Sequence, residues 1–345
     1  MGVNIKELIS PVKKEISMSD LSHKVITIDA YNTLYQFLAT IRQKDGTPLM
    51  DAQGEITSHL NGLFYRTINF LESGIKPVYI FDGRPPELKQ AEILKREKIK
   101  EEAERKYREA LERGDLEEAR IYAQQTSRLS SKMVEDSKEL LTYMGVPWVQ
   151  APSEGEAQAA YMAMKGDAWA SASQDYDSLL FGTPRLVRNL AITGKRKLPR
   201  KDIYIEIKPE IIALEDLLNY YNITREQLVY IGLLLGTDYN PGGVKGIGVK
   251  RALKLVKEFS DIKSIMRAVN ATLDVNPEEI VNIFLKPEVT DDYRLEWRRP
   301  DEDKVRELLI ERHQFSPDRV NNALERVLKA YKKLFEQTTL ESWFG

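Results

Sequence analysis

The chain has 345 residues, of which 42% are apolar and 30% charged, and it contains no cysteine. That length and composition allow a sizeable core in one large domain or two ordinary ones, and they exclude a disulfide framework, a zinc–thiolate site and a cysteine nucleophile. The formal net charge of −2 departs from the basic balance usual in nucleic-acid binders, and the longest apolar run, Leu228 to Leu235, is too short to span a membrane.

The opening MGVNIKELISPVKKE lacks the apolar core of a secretory signal, and Lys6 stands where a myristoylation site needs Ser or Thr. An intracellular setting is expected. The abundance of Lys, Glu and Arg leans toward a thermophile, although long exposed helices give the same figure.

Lys24 to Asp29, KVITID, is a β-branched run ending in an acid, and Tyr31 to Arg42 has helical apolar spacing. Asp29 is then either a ligand-facing acid at the carboxyl end of a strand, where open α/β sheets bind, or a helix N-cap. Thr57 to Leu71 reads as a second helix, and Lys76 to Asp82, KPVYIFD, repeats the strand-then-acid pattern.

From Arg84 to about Ser130 the composition becomes strongly charged and helical. This predicts a solvated helical hairpin broken at Gly114-Asp115, or a mobile cap inserted near the active-site end. Lys89 and Arg96 are seven residues apart, two turns along one helix face, and could point at a phosphate.

Glu135 to Met144 is a predicted helix and Val146 to Val149 a short strand. Ser153 to Glu156 matches a capping box, which accounts for Glu156 but not for Glu154. Ala168 to Ser173 is the next strand and delivers Asp175 and Asp177. Glu154, Glu156, Asp175 and Asp177 thus crowd two element ends. Carboxylates repel one another unless a cation sits between them, and hard oxygen ligands without Cys or His suit Mg²⁺ or Mn²⁺. With Asp29, Asp82 and Asp238 they make seven acids for one two-metal phosphodiesterase site. Setting these seven aside leaves about +5 on the rest of the molecule, which suits phosphate contacts.

Pro184 to Ile207 reads as strands around a basic turn, and Leu228 to Leu235 as a buried helix ending at Gly236-Thr237-Asp238. In GGVKGIGVKRAL, Gly246 and Gly248 precede a helix and leave backbone N–H groups open, flanked by Lys245, Lys250 and Arg251. Such a turn can hold a phosphate against a helix N-terminus without reading sequence. Residues 261 to 335 have the spacing of further amphipathic helices. The final QTTLESWFG places Leu340, Trp343 and Phe344 in a polar chain end, as a docking motif would.

The segments VITIDAYNTLYQF, VYIFDGRPPELK, APSEGEAQAAY, SQDYDSLLFG, LLGTDYNPGGVKGIGVKRAL and LEWRRPDEDKV together resemble the flap endonucleases, structure-specific 5′-nucleases of DNA replication and repair. The similarity runs over nearly the whole chain. It implies an α/β fold: a mostly parallel central sheet flanked by helices, an inserted helical arch, and a C-terminal helical region with a helix–two-turn–helix DNA-binding element. The expected division is a nuclease core over 1–235 with the arch at about 84–130, a helical DNA-binding region over 236–335, and a clamp-binding tail over 336–345.

The resemblance further implies that Asp29, Asp82, Glu154, Glu156, Asp175, Asp177 and Asp238 surround two Mg²⁺ ions, with Mn²⁺ as a substitute. Lys89 and Arg96 resemble the basic arch residues that position and activate the scissile phosphate. Tyr35 resembles the aromatic that stacks on the nucleotide beside the cut, and Arg42 part of the pocket for a one-nucleotide 3′ flap. The turn at Gly246 and Gly248 resembles the element that grips duplex DNA and binds a K⁺ ion. Gln337, Leu340, Trp343 and Phe344 resemble a box that binds a sliding clamp of the proliferating-cell-nuclear-antigen type, with Trp343 where Phe or Tyr is more common. The end at Gly345, without the basic tail of many eukaryotic members, points to an archaeal protein; a monomer is expected, and for an archaeal protein a place in the cytoplasm or nucleoid.

Other readings stand beside this one. Asp29-Ala-Tyr-Asn-Thr-Leu resembles the nucleophile motif of haloacid-dehalogenase hydrolases, in which Asp29 would attack covalently. That reading leaves Glu154, Glu156, the glycine turn and the tail unexplained. A non-catalytic DNA-binding scaffold recruited by the clamp would not need seven aligned acids. A gap exonuclease or Holliday-junction resolvase of the same superfamily is a closer alternative, against which the clamp tail favours a replication role.

Overall fold

The computed structural model describes residues 2–43, 45–192, 194–197 and 204–336. The proposed clamp box, Gln337, Leu340, Trp343 and Phe344, lies outside the described residues, as does the tip of the basic turn.

The strands are β1 (Lys14–Glu15), β2 (Val25–Asp29), β3 (Lys76–Phe81), β4 (Trp148–Gln150), β5 (Ala170–Ala172), β6 (Arg185–Arg188), β7 (Gly194–Lys197), β8 (Tyr204–Ile207) and β9 (Glu210–Ala213). One seven-stranded sheet has the order β1-β9-β6-β5-β2-β3-β4, and β7 pairs with β8 apart from it. The run from β6 to β4 is parallel throughout, whereas β9 is antiparallel to both β6 and β1. Parallel strands are covered on both faces and therefore read as continuous apolar runs, as β2 and β3 do. Thr27, in the middle of β2, satisfies its hydroxyl on the Ala170 carbonyl at 3.2 Å.

The helices are α1 (Lys6–Ile9), α2 (Ala30–Thr40), α3 (Ser58–Glu72), α4 (Gln90–Glu112), α5 (Leu116–Ala123), α6 (Ser131–Tyr143), α7 (Gly155–Lys165), α8 (Asp177–Leu180), α9 (Leu214–Tyr221), α10 (Arg225–Leu235), α11 (Val249–Glu258), α12 (Ile262–Ala268), α13 (Pro277–Leu285), α14 (Glu302–Arg306) and α15 (Pro317–Tyr331). Side chains alternate across the sheet with period two. Ile26, Ile28, Tyr79 and Phe81 pack on one side with α3, α6 and α15. Val78, Ile80 and Val149 face the other way, toward Ala159 and Met162 of α7. A third apolar cluster joins α1, α8 and α10 to α11, α12 and α13.

α4 and α5 form the expected charged hairpin, turned at Gly114 (φ +72°). Asp115 caps α5, its Oδ1 accepting from the Glu118 N–H at 2.9 Å. The small side chains Ala103, Ala110, Ala119 and Ala123 are buried where the two helices pack.

Helical spacing does not continue through residues 261–335. Residues 287–301 form neither helix nor strand and cross the α7 side of the sheet. Their polar groups bond to the core instead of to their own helix. Trp297 Nε1 donates to the Pro77 carbonyl at 3.0 Å, and Gln158 and Thr290 exchange bonds of 2.9 and 2.8 Å. Pro287 and Pro300 bracket this strap, and proline opposes a helix interior.

Candidate active site

The carboxyl ends of parallel strands β2, β3, β4 and β5 lie along one edge of the sheet, and acids follow each of them. Asp29 ends β2 and is also the N-cap of α2, its Oδ1 accepting from the Asn32 N–H at 2.9 Å. Strand end and cap are therefore the same residue, so the two readings of Asp29 are compatible. Asp82 follows β3, and its Oδ1 accepts from the Gly155 N–H at 2.8 Å. A β-carbon at Gly155 would overlap that same oxygen, so glycine is what lets the start of α7 approach Asp82.

The Ser153–Glu156 capping box does not form. Helix α7 begins at Gly155 with Glu154 as N-cap and no side-chain cap bond. Glu156 Oε1 instead accepts from Ser173 Oγ at 2.6 Å and from Ser178 Oγ at 3.4 Å. Asp175 Oδ2 accepts from Asn32 Nδ2 at 3.4 Å, and Asp177 Oδ1 from the Val3 N–H at 2.7 Å.

Asp29, Glu154, Asp177 and Asp238 are each no more than 8% exposed. Burial, followed by the charges of Asp82 and Asp175, pushes the Asp29 carboxyl well above its ordinary pKa. Burial does the same to Glu156, reinforced by Asp177, Asp175 and Asp29. Asp82 is pushed up to about 6, by burial and then by Glu154. Asp177 rises to about 7, by burial and then by Asp238 and Asp175, against the Val3 N–H. These are the shifts of like charges sharing a desolvated space without enough countercharge.

Two countercharges come from the arch. Lys89, in the turn just before α4, places Nζ 2.6 Å from Glu154 Oε2 and 3.5 Å from Asp238 Oδ2. Arg96 Nη2 donates to both Asp238 oxygens, at 2.8 and 2.7 Å. Burial opposes the charge on Lys89, yet Glu154, Asp238 and Asp82 together hold its pKa above the ordinary lysine value. With Glu154 and Asp238 held by these cations, no three Asp, Glu or His side chains among the described residues converge as a ready-made ion cage. The donor set nevertheless fits a divalent cation: it is all carboxylate oxygen and crowded, and within it Asp29, Asp82, Glu156 and Asp177 resist ionisation.

The remaining expected residues lie around this centre. Tyr35 on α2 is half-buried, with Lys100 of the arch 4.6 Å above its ring. Arg42 is fully engaged within the chain: it donates to the Leu38 and Gly46 carbonyls, each at 2.8 Å, and to Ser127 Oγ at 3.0 Å. It thereby ties the loop after α2 to the end of the arch. Lys245, Gly246 and Gly248 are exposed in the turn between α10 and α11, and Lys250 and Arg251 are exposed in the first turn of α11, while Val244 and Ile247 anchor the turn in the core. Gly246 has φ +79°, and Gly248 is the N-cap of α11 in extended backbone.

Sequence reasoning did not single out Asn32, Ser173, the Val3 N–H or Gly155, which hold the acids in place. Only Asn32 carried a local sign, as a polar residue one turn after an acid at a strand end.

Residues 1–103 match the model of the XPG N-terminal domain, and residues 145–238 that of the XPG I-region. The first span contains Asp29, Asp82, Lys89 and Arg96, and the second contains Glu154, Glu156, Asp175, Asp177 and Asp238. "Flap endonuclease 1" of Thermofilum pendens is 71% identical over 345 residues, covering all of both chains. The chain belongs to the flap endonuclease family. Flap endonuclease 1 of Pyrococcus furiosus is 59% identical over 344 residues, 100% of this chain and 99% of that one. The solved structure of flap endonuclease-1 from Methanococcus jannaschii superimposes with a TM-score of 0.75 at 44% identity, covering 96% of this chain and 99% of that chain. As a flap endonuclease, the chain is a nuclease that hydrolyses DNA phosphodiester bonds, on the α/β fold its motifs implied.

Proposed function

We propose that this flap endonuclease cuts branched DNA at the base of a 5′ flap, with 5′–3′ exonuclease activity at the same site, by Mg²⁺-dependent hydrolysis. The observation that carries the reading is that Lys89 and Arg96, from one side of the arch, lie on Glu154 and Asp238 at the acid-lined edge of the sheet. Asp29, Asp82, Glu154, Glu156, Asp175, Asp177 and Asp238 would hold two Mg²⁺ ions, or Mn²⁺ in their place. When bound, such a pair activates the attacking water and stabilises the leaving oxygen.

The chain's own residues do the rest. Lys89 and Arg96 exchange their carboxylate partners for the scissile phosphate. The planar fork of Arg96, which already spans two carboxylate oxygens, matches two phosphate oxygens equally well. Tyr35 offers a ring face to the nucleotide beside the cut. Arg42 braces the loop that would receive a 3′ flap.

The α10–α11 turn would serve as the helix–two-turn–helix grip, with Gly246 and Gly248 bringing backbone amides to a phosphate, Lys245, Lys250 and Arg251 supplying charge, and a K⁺ ion bound there. The same reading separates a nuclease core, 1–235, from a duplex-gripping region, 236–335, even though α15 packs back on the core. The tail from Gln337 to Phe344 would recruit a sliding clamp.

Among the described residues no helix is long and apolar enough to cross a membrane. A monomer acting inside the cell, in the cytoplasm or on the nucleoid, is part of the proposal.

The test is Mg²⁺-dependent cleavage of matched double-flap, nicked, bubble and four-way-junction substrates, with and without sliding clamp. Preference for the double flap, stimulated by the clamp only when Trp343 and Phe344 are intact, is expected. Preference for the junction or the nick would overturn the flap assignment.

A further inference from the structure

The buried residues of α4 are Ala103, Ala110 and one acid, Glu92. Every other carboxylate on this helix is exposed or half-buried. Glu92 is 8% exposed and lies between the two arch cations, three residues after Lys89 and four before Arg96. A buried carboxylate is costly unless it is paired. The partner here is Arg96, whose Nε donates to Glu92 Oε1 at 3.2 Å. The second oxygen, Oε2, is buried without a hydrogen bond, and the Lys95 ammonium stands 4.0 Å away.

The guanidinium of Arg96 is thus held by two edges with different duties. Its Nε edge is fixed to its own helix by Glu92, and its Nη2 reaches out to Asp238. An exposed i,i+4 pair would be worth only a few tenths of a kcal/mol and would orient nothing. This pair is anchored by a desolvated acid, so the long arginine side chain loses its freedom before substrate arrives.

We infer that Glu92 is a positioning residue for Arg96, presetting the guanidinium so that Nη2 can pass from Asp238 to the scissile phosphate without the side chain having to be ordered again. The inference rests on the role proposed above for Arg96.

The experiment compares wild type, Glu92→Ala, Glu92→Gln, Arg96→Ala and the Glu92→Ala/Arg96→Ala double variant. Single-turnover cleavage of a double-flap DNA is measured in Mg²⁺, affinity for the same DNA in EDTA, and melting temperature for each protein. Loss of orientation should slow Glu92→Ala roughly tenfold or more with DNA affinity unchanged. Glu92→Gln, which keeps a carbonyl acceptor for Nε, should recover most of the rate. The double variant should be no slower than Arg96→Ala alone, because nothing is left to position.

A wild-type rate in Glu92→Ala would overturn the inference, as would the same fold-loss from Glu92→Ala with and without Arg96. If Glu92→Ala lowers the melting temperature, the glutamine variant decides: near-wild-type folding and rate support positioning, and a rate as low as the alanine variant's refutes it. Arg96→Ala cutting at wild-type rate would overturn the reading of Arg96 itself, and the positioning role with it.

Discussion

Lys89 Nζ lies 2.6 Å from Glu154 Oε2, joining the root of the arch to the start of α7 across 65 residues of chain. The arch therefore supplies part of the charge balance of the acid cluster, and those same cations are what an incoming phosphate would need. If Lys89 and Arg96 act on the phosphate as charge develops, Lys89→Ala or Arg96→Ala should lower the single-turnover rate roughly a hundredfold and leave DNA affinity within a few-fold. Equal losses in rate and affinity would mean that they only attract DNA.

Asp177 is buried, fixed by the Val3 N–H at 2.7 Å and pressed by neighbouring acids. Asp177→Ala should abolish cleavage while the folded protein still binds flap DNA. Without Mg²⁺ the variant should bind DNA at least as tightly as wild type, since one charge repelling the phosphates is gone. Cleavage near the wild-type rate would remove Asp177 from the site.

The two glycines of the α10–α11 turn separate backbone strain from access. A β-carbon at either Gly246 or Gly248 meets nothing within 4 Å, but only Gly246 has a positive φ, +79°. Gly246→Val should thus cost about 1–3 kcal/mol of stability and weaken duplex binding. Gly248→Ala, at the N-cap of α11, should cost less, under about 1 kcal/mol, and still weaken binding to any duplex sequence, if phosphate comes that close. Gel-shift titrations on two unrelated duplexes, with melting curves, check both statements.

His59 is 1% exposed and neither ring nitrogen has a hydrogen-bond partner. Burial pushes its pKa down from 6.5 to about 4, with Asp136 opposing and His313 assisting. Between these values the unfolded chain binds a proton that the folded chain refuses, so stability is present above pH 6.5 and is lost as pH falls toward 4. His59→Leu should remove this dependence. Relative to wild type it should gain about 3 kcal/mol on going from pH 7 to pH 4. Parallel stability curves for the two proteins would show that His59 is not the group responsible.

Much of this site is legible in the sequence. Asp29 and Asp82 end β-branched or apolar runs, and strand chemistry of that kind is local. Glu154, Glu156, Asp175 and Asp177 cluster in sequence because β4, α7 and β5 follow one another closely. The partners were not legible. Arg96 and Asp238 are 142 residues apart, and Val3 and Asp177 are 174 apart, so only the sheet order brings them together. The capping box at Ser153 lost because Glu156 finds Ser173 and Ser178 across the site. The strap at 287–301 lost its helical spacing because Trp297 and Thr290 bond to the core.

The most direct test is calorimetric titration of Mg²⁺ into wild type and Lys89→Ala in the absence of DNA. If the acids form a cation site that Lys89 partly neutralises, wild type takes up Mg²⁺ saturably and Lys89→Ala binds it more tightly, by roughly five- to tenfold. No saturable uptake by wild type, or weaker uptake by Lys89→Ala, would contradict the assignment of these carboxylates to metal.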